Sequence, residues 1–366
     1  MTEDPSTKEP DYGPRRLTVE VLNICNLHCS YCLRDEDALY HSRAEFMPVE
    51  LFRRIVRDAK DVAGITEVNF TGGEPTLHPG FTDLIAACGN EGIKSSFVTN
   101  GWNFEQLSPR LLAHRDHLTH VAFSIDGITA AAHDRWRGQG SFVRLIRAFT
   151  WCQRHGMPFI IKVGIRRDTA EHLEQIVLFA ARLGAAALSF AHLMPTSETL
   201  ESNAALTLDE RRRAEEEIAL LARIFKMKVT IDVGYYNIGK EAPCAPLAAA
   251  SLNVDYRGRL TLCCNLSGFR GGDEGTDIVA DLRTEDFVEG YRRFSELREA
   301  QLQRRRQALE AYEEKQTAPD LYTGSPCLFC LKSFGKLPWI EKPSSAIRLA
   351  LSGNSDSDLI KSPLTW

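Results

Sequence analysis

Three cysteines on one short loop narrow the folds open to this chain. The stretch from Leu22 to Arg34, Leu-Asn-Ile-Cys-Asn-Leu-His-Cys-Ser-Tyr-Cys-Leu-Arg, sets Cys25, Cys29 and Cys32 in a Cys-x3-Cys-x2-Cys spacing. Three thiolates so placed can hold three corners of a cubane iron-sulfur cluster, which otherwise takes four cysteines, and leave one iron open for chemistry. Two other readings share the spacing. A zinc site would need a fourth ligand from elsewhere, and a redox Cys-x-x-Cys of Cys29 and Cys32 leaves Cys25 without a role. Residues 17 to 24 just before the loop read Leu-Thr-Val-Glu-Val-Leu-Asn-Ile, a near-alternating pattern that suits a strand. The loop then sits at the strand's C-terminal end, where α/β barrels keep their chemistry.

Length and composition set the outer limits. A chain of 366 residues accommodates one large α/β domain and a smaller module. Its 44 basic and 49 acidic residues give no electrostatic reason to expect nucleic acid or an anionic membrane as partner. Residues 1 to 16 are polar with three prolines, unlike a signal peptide, and no apolar run approaches the ~20 residues of a membrane span. The expected location is the cytoplasm, where ten cysteines read as metal ligands or reactive thiols rather than disulfides.

Along the chain, strand and helix patterns alternate. Pro48 opens a helix with Leu51, Phe52, Ile55, Val56 and Ala59 on its apolar face, and a strand follows from Glu67 to Phe70. It ends in Thr71-Gly72-Gly73-Glu74-Pro75, where paired glycines let a backbone approach a ligand beside a carboxylate. Further helices are predicted at Phe81–Cys88, Phe142–Cys152 and Ala170–Leu183, and strands at Lys94–Thr99, Leu118–Ile125, Phe159–Ile165 and Ala186–Phe190. This pattern predicts a parallel, partial (β/α)6 TIM-type barrel of class α/β. Cys88 and Cys152 fall on apolar helix faces and read as core. Thr207 and Glu210 form a capping box for the helix expected to end the barrel, with Arg211 to Arg213 on its solvated side.

The cysteine spacing, with Tyr31 before its last member, and the Gly72-Gly73-Glu74-Pro75 loop after the second strand together resemble the radical S-adenosylmethionine (SAM) superfamily. The resemblance implies that Cys25, Cys29 and Cys32 hold a 4Fe-4S cluster whose open iron chelates SAM. It also implies that Gly72 to Pro75 receive the methionyl amino group, and that one electron splits SAM to a 5′-deoxyadenosyl radical that abstracts a hydrogen atom. Tyr31, Ser124, Asp126 and, in the stretch His133-Asp134-Arg135-Trp136-Arg137-Gly138, Arg137 are carried over as SAM-binding candidates. Thr99-Asn100-Gly101 reads as another turn at the barrel mouth, and Lys162, inside the fifth strand, is expected to point into the barrel toward cofactor or substrate.

A second cysteine set follows residue 240: Cys244, Cys263 and Cys264, then Cys327-x-x-Cys330. Leu252 to Leu262 reads as a hairpin around Tyr256-Arg257-Gly258-Arg259. Cys244, Cys263, Cys327 and Cys330 suit either a fully ligated second cluster, serving as an electron carrier, or a zinc ribbon. The Cys-x13-Gly-x4-Cys spacing resembles the SPASM and twitch auxiliary-cluster modules, and the cysteine count fits the one-cluster twitch form. Cys264 is the extra thiol: a spare ligand, a small core residue, or a hydrogen-atom donor to a substrate radical. Phe287 to Gln316 is a charged helical insert that supports a solvent-facing or partner-binding helix.

The expected division is thus a disordered 1–16, a barrel at 17–232, a cysteine-rich α+β module at 233–342 and a mobile tail at 343–366. The expected function is radical SAM modification of a peptide by oxidation, cross-linking or epimerisation. The alternatives are dehydrogenation or epimerisation of a small molecule such as an aminosugar, and a structural zinc-binding protein without catalysis. The short stretch before Leu17 leaves no room for a fused precursor-recognition domain, so a peptide would need direct binding or a separate recognition protein. A flavodoxin- or ferredoxin-type protein is the expected electron donor.

Overall fold

The computed structural model describes residues 15–270 and 275–341. Most of the expected disordered N-terminus and all of the expected mobile tail lie outside the described residues; Arg16 is within them and opens the first strand. In chain order come β1 (Arg16–Glu20), α1 (Val49–Ala63), β2 (Glu67–Thr71), α2 (Phe81–Asn90), β3 (Lys94–Thr99), α3 (Phe104–Leu112) and β4 (Leu118–Ile125). Then follow α4 (Ala130–Arg137), α5 (Ser141–His155), β5 (Phe159–Ile165), α6 (Arg167–Ala170), α7 (Leu173–Arg182), β6 (Ala187–His192), α8 (Ser197–Glu201), α9 (Leu208–Ile224) and β7 (Lys228–Val233). The C-terminal part adds β8 (Ser251–Val254), β9 (Arg259–Thr261), β10 (Ile278–Asp281), α10 (Phe287–Glu314), α11 (Leu321–Gly324), α12 (Pro326–Ser333) and α13 (Pro338–Glu341).

β1 to β7 run parallel in sequence order, an open partial barrel with helices outside. The predicted strands are all present, and β7 is a strand the sequence reading left out. Its alternating Lys-Val-Thr-Ile-Asp-Val lies beyond the helix expected to close the barrel. The predicted hairpin forms β8 and β9, but β8 also pairs in parallel with β1, so the cysteine-rich part continues the barrel sheet.

Alternation along the strands separates two faces. Phe70, Phe97, Phe123, Phe159 and Phe190 point outward and are buried under the helices. Phe97 packs edge to face on Phe81 at 5.1 Å and Phe123 on Phe149 at 5.2 Å, while Phe159 stacks on Phe149 at 5.1 Å. Cys88 and Cys152 belong to this core. The inner face is polar, with Ser124, Lys162, Ser189 and Thr230 side by side across β4 to β7.

Two expectations about charged helices need correction. Arg211 is not on a solvated face: it is buried, and its guanidinium donates to the carbonyls of Leu193 (2.9 Å), Gly234 (3.0 Å) and Leu206 (3.3 Å). Those carbonyls lie just beyond β6 and β7 and before α9, so the arginine ties these loops together. α10 is not simply solvent-facing: Phe287, Gly290, Phe294, Leu302 and Leu309 bury one side of it. Gly290 permits contact with β10, since a Cβ there would lie 2.9 Å from that of Ala280.

Phe123 touches Phe104, Phe149 and Phe159 at once. Phe123→Ala is expected to cost about 3–5 kcal/mol, read as a lower urea midpoint at an unchanged m-value.

Candidate active site and thiol clusters

Cys25, Cys29 and Cys32 line one cleft above the C-terminal ends of the strands, together with Tyr31, Tyr40, Gly73, Glu74, Asn100, Ser124 and Arg137. The cleft encloses about 540 Å³, part of it open to solvent. The cysteine loop is held by short-range bonds: Cys32 N–H donates to the Cys29 carbonyl at 2.9 Å, and the Tyr40 hydroxyl donates to the Leu27 carbonyl at 2.5 Å. Burial, reinforced by the Glu74 carboxylate, pushes the Cys25 thiol up to about 12. Burial likewise raises Cys29 to about 11, against the pull of Arg137. Both thiols thus lose their protons readily only when a cation takes their place.

The glycine loop docks on the cysteine loop. Gly73 N–H donates to the Leu22 carbonyl at 3.3 Å and Glu74 N–H to that of Ile24 at 2.9 Å. A Cβ on Gly73 would come within 1.9 Å of the Ile24 carbonyl oxygen, and Gly72 has φ of 139°, so neither position accepts a side chain. Glu74 is buried and accepts from the Thr76 hydroxyl (2.6 Å), the Thr99 hydroxyl (2.8 Å) and the Asn100 N–H (2.8 Å). Its carboxylate therefore fixes the loop to the end of β3, and Pro75 starts the turn that follows. Asn100 reaches back to the Asn26 side chain at 2.9 Å and lies 3.9 Å from the Cys25 sulfur.

Behind the cleft lies a buried ionic network. Asp126 is buried; one carboxylate oxygen accepts from Arg166 at 2.5 Å and the other from Arg137 and the Tyr31 hydroxyl. Burial alone would raise the acid, but Arg137 and Arg166 outweigh it and hold its carboxyl well below the usual range. Asp126 thus aims its oxygens at protein groups, whereas Arg137 and Tyr31 line the cleft. Arg166, which sequence reasoning missed, also bonds Asp168 at 2.9 Å and stacks 4.3 Å from the Trp136 ring centroid. It was hidden because it neighbours a second arginine just past a strand, a pattern that looks solvated. His133 accepts from the Asp126 N–H at 3.0 Å, which gives the His-Asp-Arg-Trp-Arg-Gly stretch its structural purpose.

Lys162 does point into the barrel but meets protein, bonding Asp232 at 3.2 Å and Ser189 at 3.4 Å. It is not among the residues lining the cysteine cleft. Ser124, its register neighbour, is among them.

The C-terminal cysteines gather in a second neighbourhood. Cys244 lies close enough to Cys327 and Cys330 for their charges to interact, and Cys263 to Cys244 and Cys264. N–H groups support the sulfurs: Gly234 donates to Cys327 at 3.4 Å, Asn265 to Cys263 at 3.5 Å, and Gln301 of α10 to Cys330 at 3.5 Å. Buried Arg305 of α10 adds a positive charge that Cys244, Cys327 and Cys330 feel. The charged insert is therefore a wall of this thiol group. Among the described residues no three cysteine, histidine or acidic side chains close around a single metal ion.

These features describe an α/β partial barrel with a thiol-lined cleft at the C-terminal ends of its strands. Residues 19–180 match the family model of the Radical SAM superfamily, and the barrel is a radical SAM domain. The chain is 27% identical over 257 residues to a PqqA peptide cyclase of Methylocella silvestris, covering 69% of this chain and 68% of that protein. To the mycofactocin maturase MftC of Mycobacterium tuberculosis it is 34% identical over 179 residues, covering 47% of this chain and 43% of that one. In fold it resembles SuiB of Streptococcus suis bound to S-adenosylmethionine, with a TM-score of 0.61 and 17% identity over 76% of this chain and 68% of SuiB. The superfamily implies a 4Fe-4S cluster and SAM. The donor set fits the cluster: three thiols from one loop, all facing one cleft, leave a fourth corner without a protein ligand.

Gly73→Ala is expected to release the cysteine loop and lose most iron from this site while the helical signal in circular dichroism stays. Arg166→Met leaves a buried carboxylate short of a partner and should destabilise the fold by about 3–5 kcal/mol at pH 7. Asp126, depressed in the folded state, adds stability above its unfolded pKa of 3.8 and loses it as pH falls below that value. The gap between wild type and Arg166→Met should therefore narrow in denaturation series taken from pH 5 downward.

Proposed function

We propose that this protein is a radical SAM maturase that modifies a peptide, with an auxiliary 4Fe-4S cluster on Cys244, Cys263, Cys327 and Cys330. The observation that carries the reading is the shared cleft: Cys25, Cys29, Cys32, Gly73 and Ser124 all face it, at the mouth of a barrel whose inner wall is polar. The relatives add the substrate class. One is a PqqA peptide cyclase, and the structural neighbour SuiB also appears bound to its precursor peptide SuiA, with a TM-score of 0.59.

Cys25, Cys29 and Cys32 would hold the cluster, and the Gly72 to Pro75 loop, with Tyr31, Ser124 and Arg137, would seat SAM beside it. When bound, the pair supplies a radical able to take a hydrogen atom from an unactivated carbon. Asp126 and Arg166 fix Arg137 from behind, so a cationic group faces the cleft without a search through rotamers. Lys162, Ser189 and Asp232 continue the row from Ser124 toward the open edge of the barrel, where an extended substrate can lie and find both donors and acceptors. The buried core beneath the sheet would keep water from reaching the cleft from that side. Cys264, next to Cys263 in the chain, would be the hydrogen-atom donor to a substrate radical. A flavodoxin- or ferredoxin-type donor would supply the electron, and a separate recognition protein could present the peptide.

Iron, sulfide and zinc analysis of anaerobic wild type and of C25A/C29A/C32A tests the reading. About four irons, the content of one cubane, should remain in the variant, and its SAM cleavage under dithionite should vanish. Zinc in their place removes the auxiliary cluster. Co-expression with short peptides encoded beside the gene should yield products whose mass has changed. Unchanged peptides, together with turnover of an aminosugar, would overturn the peptide substrate.

A further inference from the structure

One buried ion pair lies between the two thiol groups and has no part in the mechanism above. Glu20 ends β1, and Arg34 lies two residues past Cys32; Arg34 Nη2 is 3.0 Å from Glu20 Oε1, with both side chains largely buried. The other guanidinium nitrogen donates to the Ser267 carbonyl, three residues past Cys264. The backbone closes the same junction: Arg34 forms an antiparallel bridge with Phe269, Asp35 N–H donates to the Gly268 carbonyl at 3.0 Å, and Arg270 N–H to that of Leu33 at 2.7 Å. The segment after one thiol group is thus zipped to the segment after the other. Asn253 donates to Glu20 Oε1 at 3.3 Å. Nearby Asp255 is occupied by Arg259 at 2.6 Å. Arg34 is thus two residues from Cys32 along the chain, and the Ser267 it bonds donates its own N–H to the Cys263 carbonyl at 3.2 Å.

A fixed positive charge beside an iron-sulfur cluster favours its reduced, more negative form, and the effect is strong where water is excluded. Building on the two-cluster reading above, we propose that the Glu20–Arg34 pair sets the reduction potentials of both clusters together, Arg34 raising them and Glu20 restraining the rise. Neither residue would ligate metal or touch substrate; they are positioning residues. The arrangement matches an enzyme that must deliver an electron at one group and accept one at the other without letting the two potentials drift apart.

The test is an anaerobic redox titration followed by electron paramagnetic resonance, with no substrate and no SAM turnover. Glu20→Gln keeps the shape and leaves Arg34 uncompensated. It should raise both midpoints by enough to change the reduced-to-oxidised ratio about tenfold at fixed potential, or about 59 mV for one electron. Arg34→Lys should stay near wild type, and E20Q/R34Q should return both midpoints toward it. If the iron of both clusters is intact and Glu20→Gln moves neither midpoint, the pair is structural, and if it moves only one, the control is not shared; either result overturns the proposal while the two-cluster reading stands. If C25A/C29A/C32A holds zinc or no metal, the two-cluster reading fails and the shared control falls with it.

Discussion

The contact on which the site rests is a backbone one, where the loop after β2 lies flat against the loop after β1. Two N–H groups, from Gly73 and Glu74, bond the carbonyls of Leu22 and Ile24, and the approach leaves no volume for a Cβ at Gly73. A strand-like pairing between two loops is unusual outside a sheet, because each loop must otherwise satisfy its own polar groups. Here it carries the register of β1 and β2 one step past the sheet, so the three thiols inherit the rigidity of the barrel. Glu74 then transmits that placement to β3 through Thr99 and Asn100, and Asn100 returns it to the cysteine loop. The cleft is held from three consecutive strands.

Charge is arranged in shells behind this contact. Asp126, Arg137 and Arg166 form a compact unit in which two guanidiniums share one carboxylate; Asp168 balances Arg166 from its other side, and Arg137 lines the thiol cleft. Three thiolates and a SAM carboxylate would bring negative charge to the cleft, and the Arg137 guanidinium lining it lowers the cost of gathering it. Desolvating the unit is expensive, so its retention is better understood as service to the site than to stability. The same economy of placement recurs at the second thiol group, where the Gln301 amide and the Gly234 N–H donate to sulfur.

How much of this could be read from the chain differs by residue. The strands of the barrel were legible because their outward phenylalanines and β-branched residues alternate with small polar ones, a period that one-sided burial enforces. Cys25, Cys29, Cys32, Gly73, Glu74, Ser124 and Arg137, all named from sequence, come together at one cleft. Arg166 and Arg211 were not legible, because burial of an arginine depends on carbonyls and carboxylates brought from distant loops, which no local pattern records. β7 was missed since an edge strand keeps half its residues wet and lacks the apolar run of a central one. α10 looked solvent-facing because its charged residues outnumber the few that pack. Its buried face carries Gln301, which donates to the Cys330 sulfur, and Arg305, which donates to the carbonyls of Asn237 and Gly239.

The continuous sheet gives these pieces a common consequence. Because β8 pairs with β1, the strand that delivers Cys25 on one side is bonded on the other to the strand that leads, through β9, to Cys263 and Cys264. Cys25 and Cys263 therefore follow strands of one sheet, β1 and β9, with only β8 between them, and moving one against the other must break ladder hydrogen bonds. A substrate entering from the β7 edge would meet the row of Lys162, Ser189 and Asp232 first, and only then the space between the two groups.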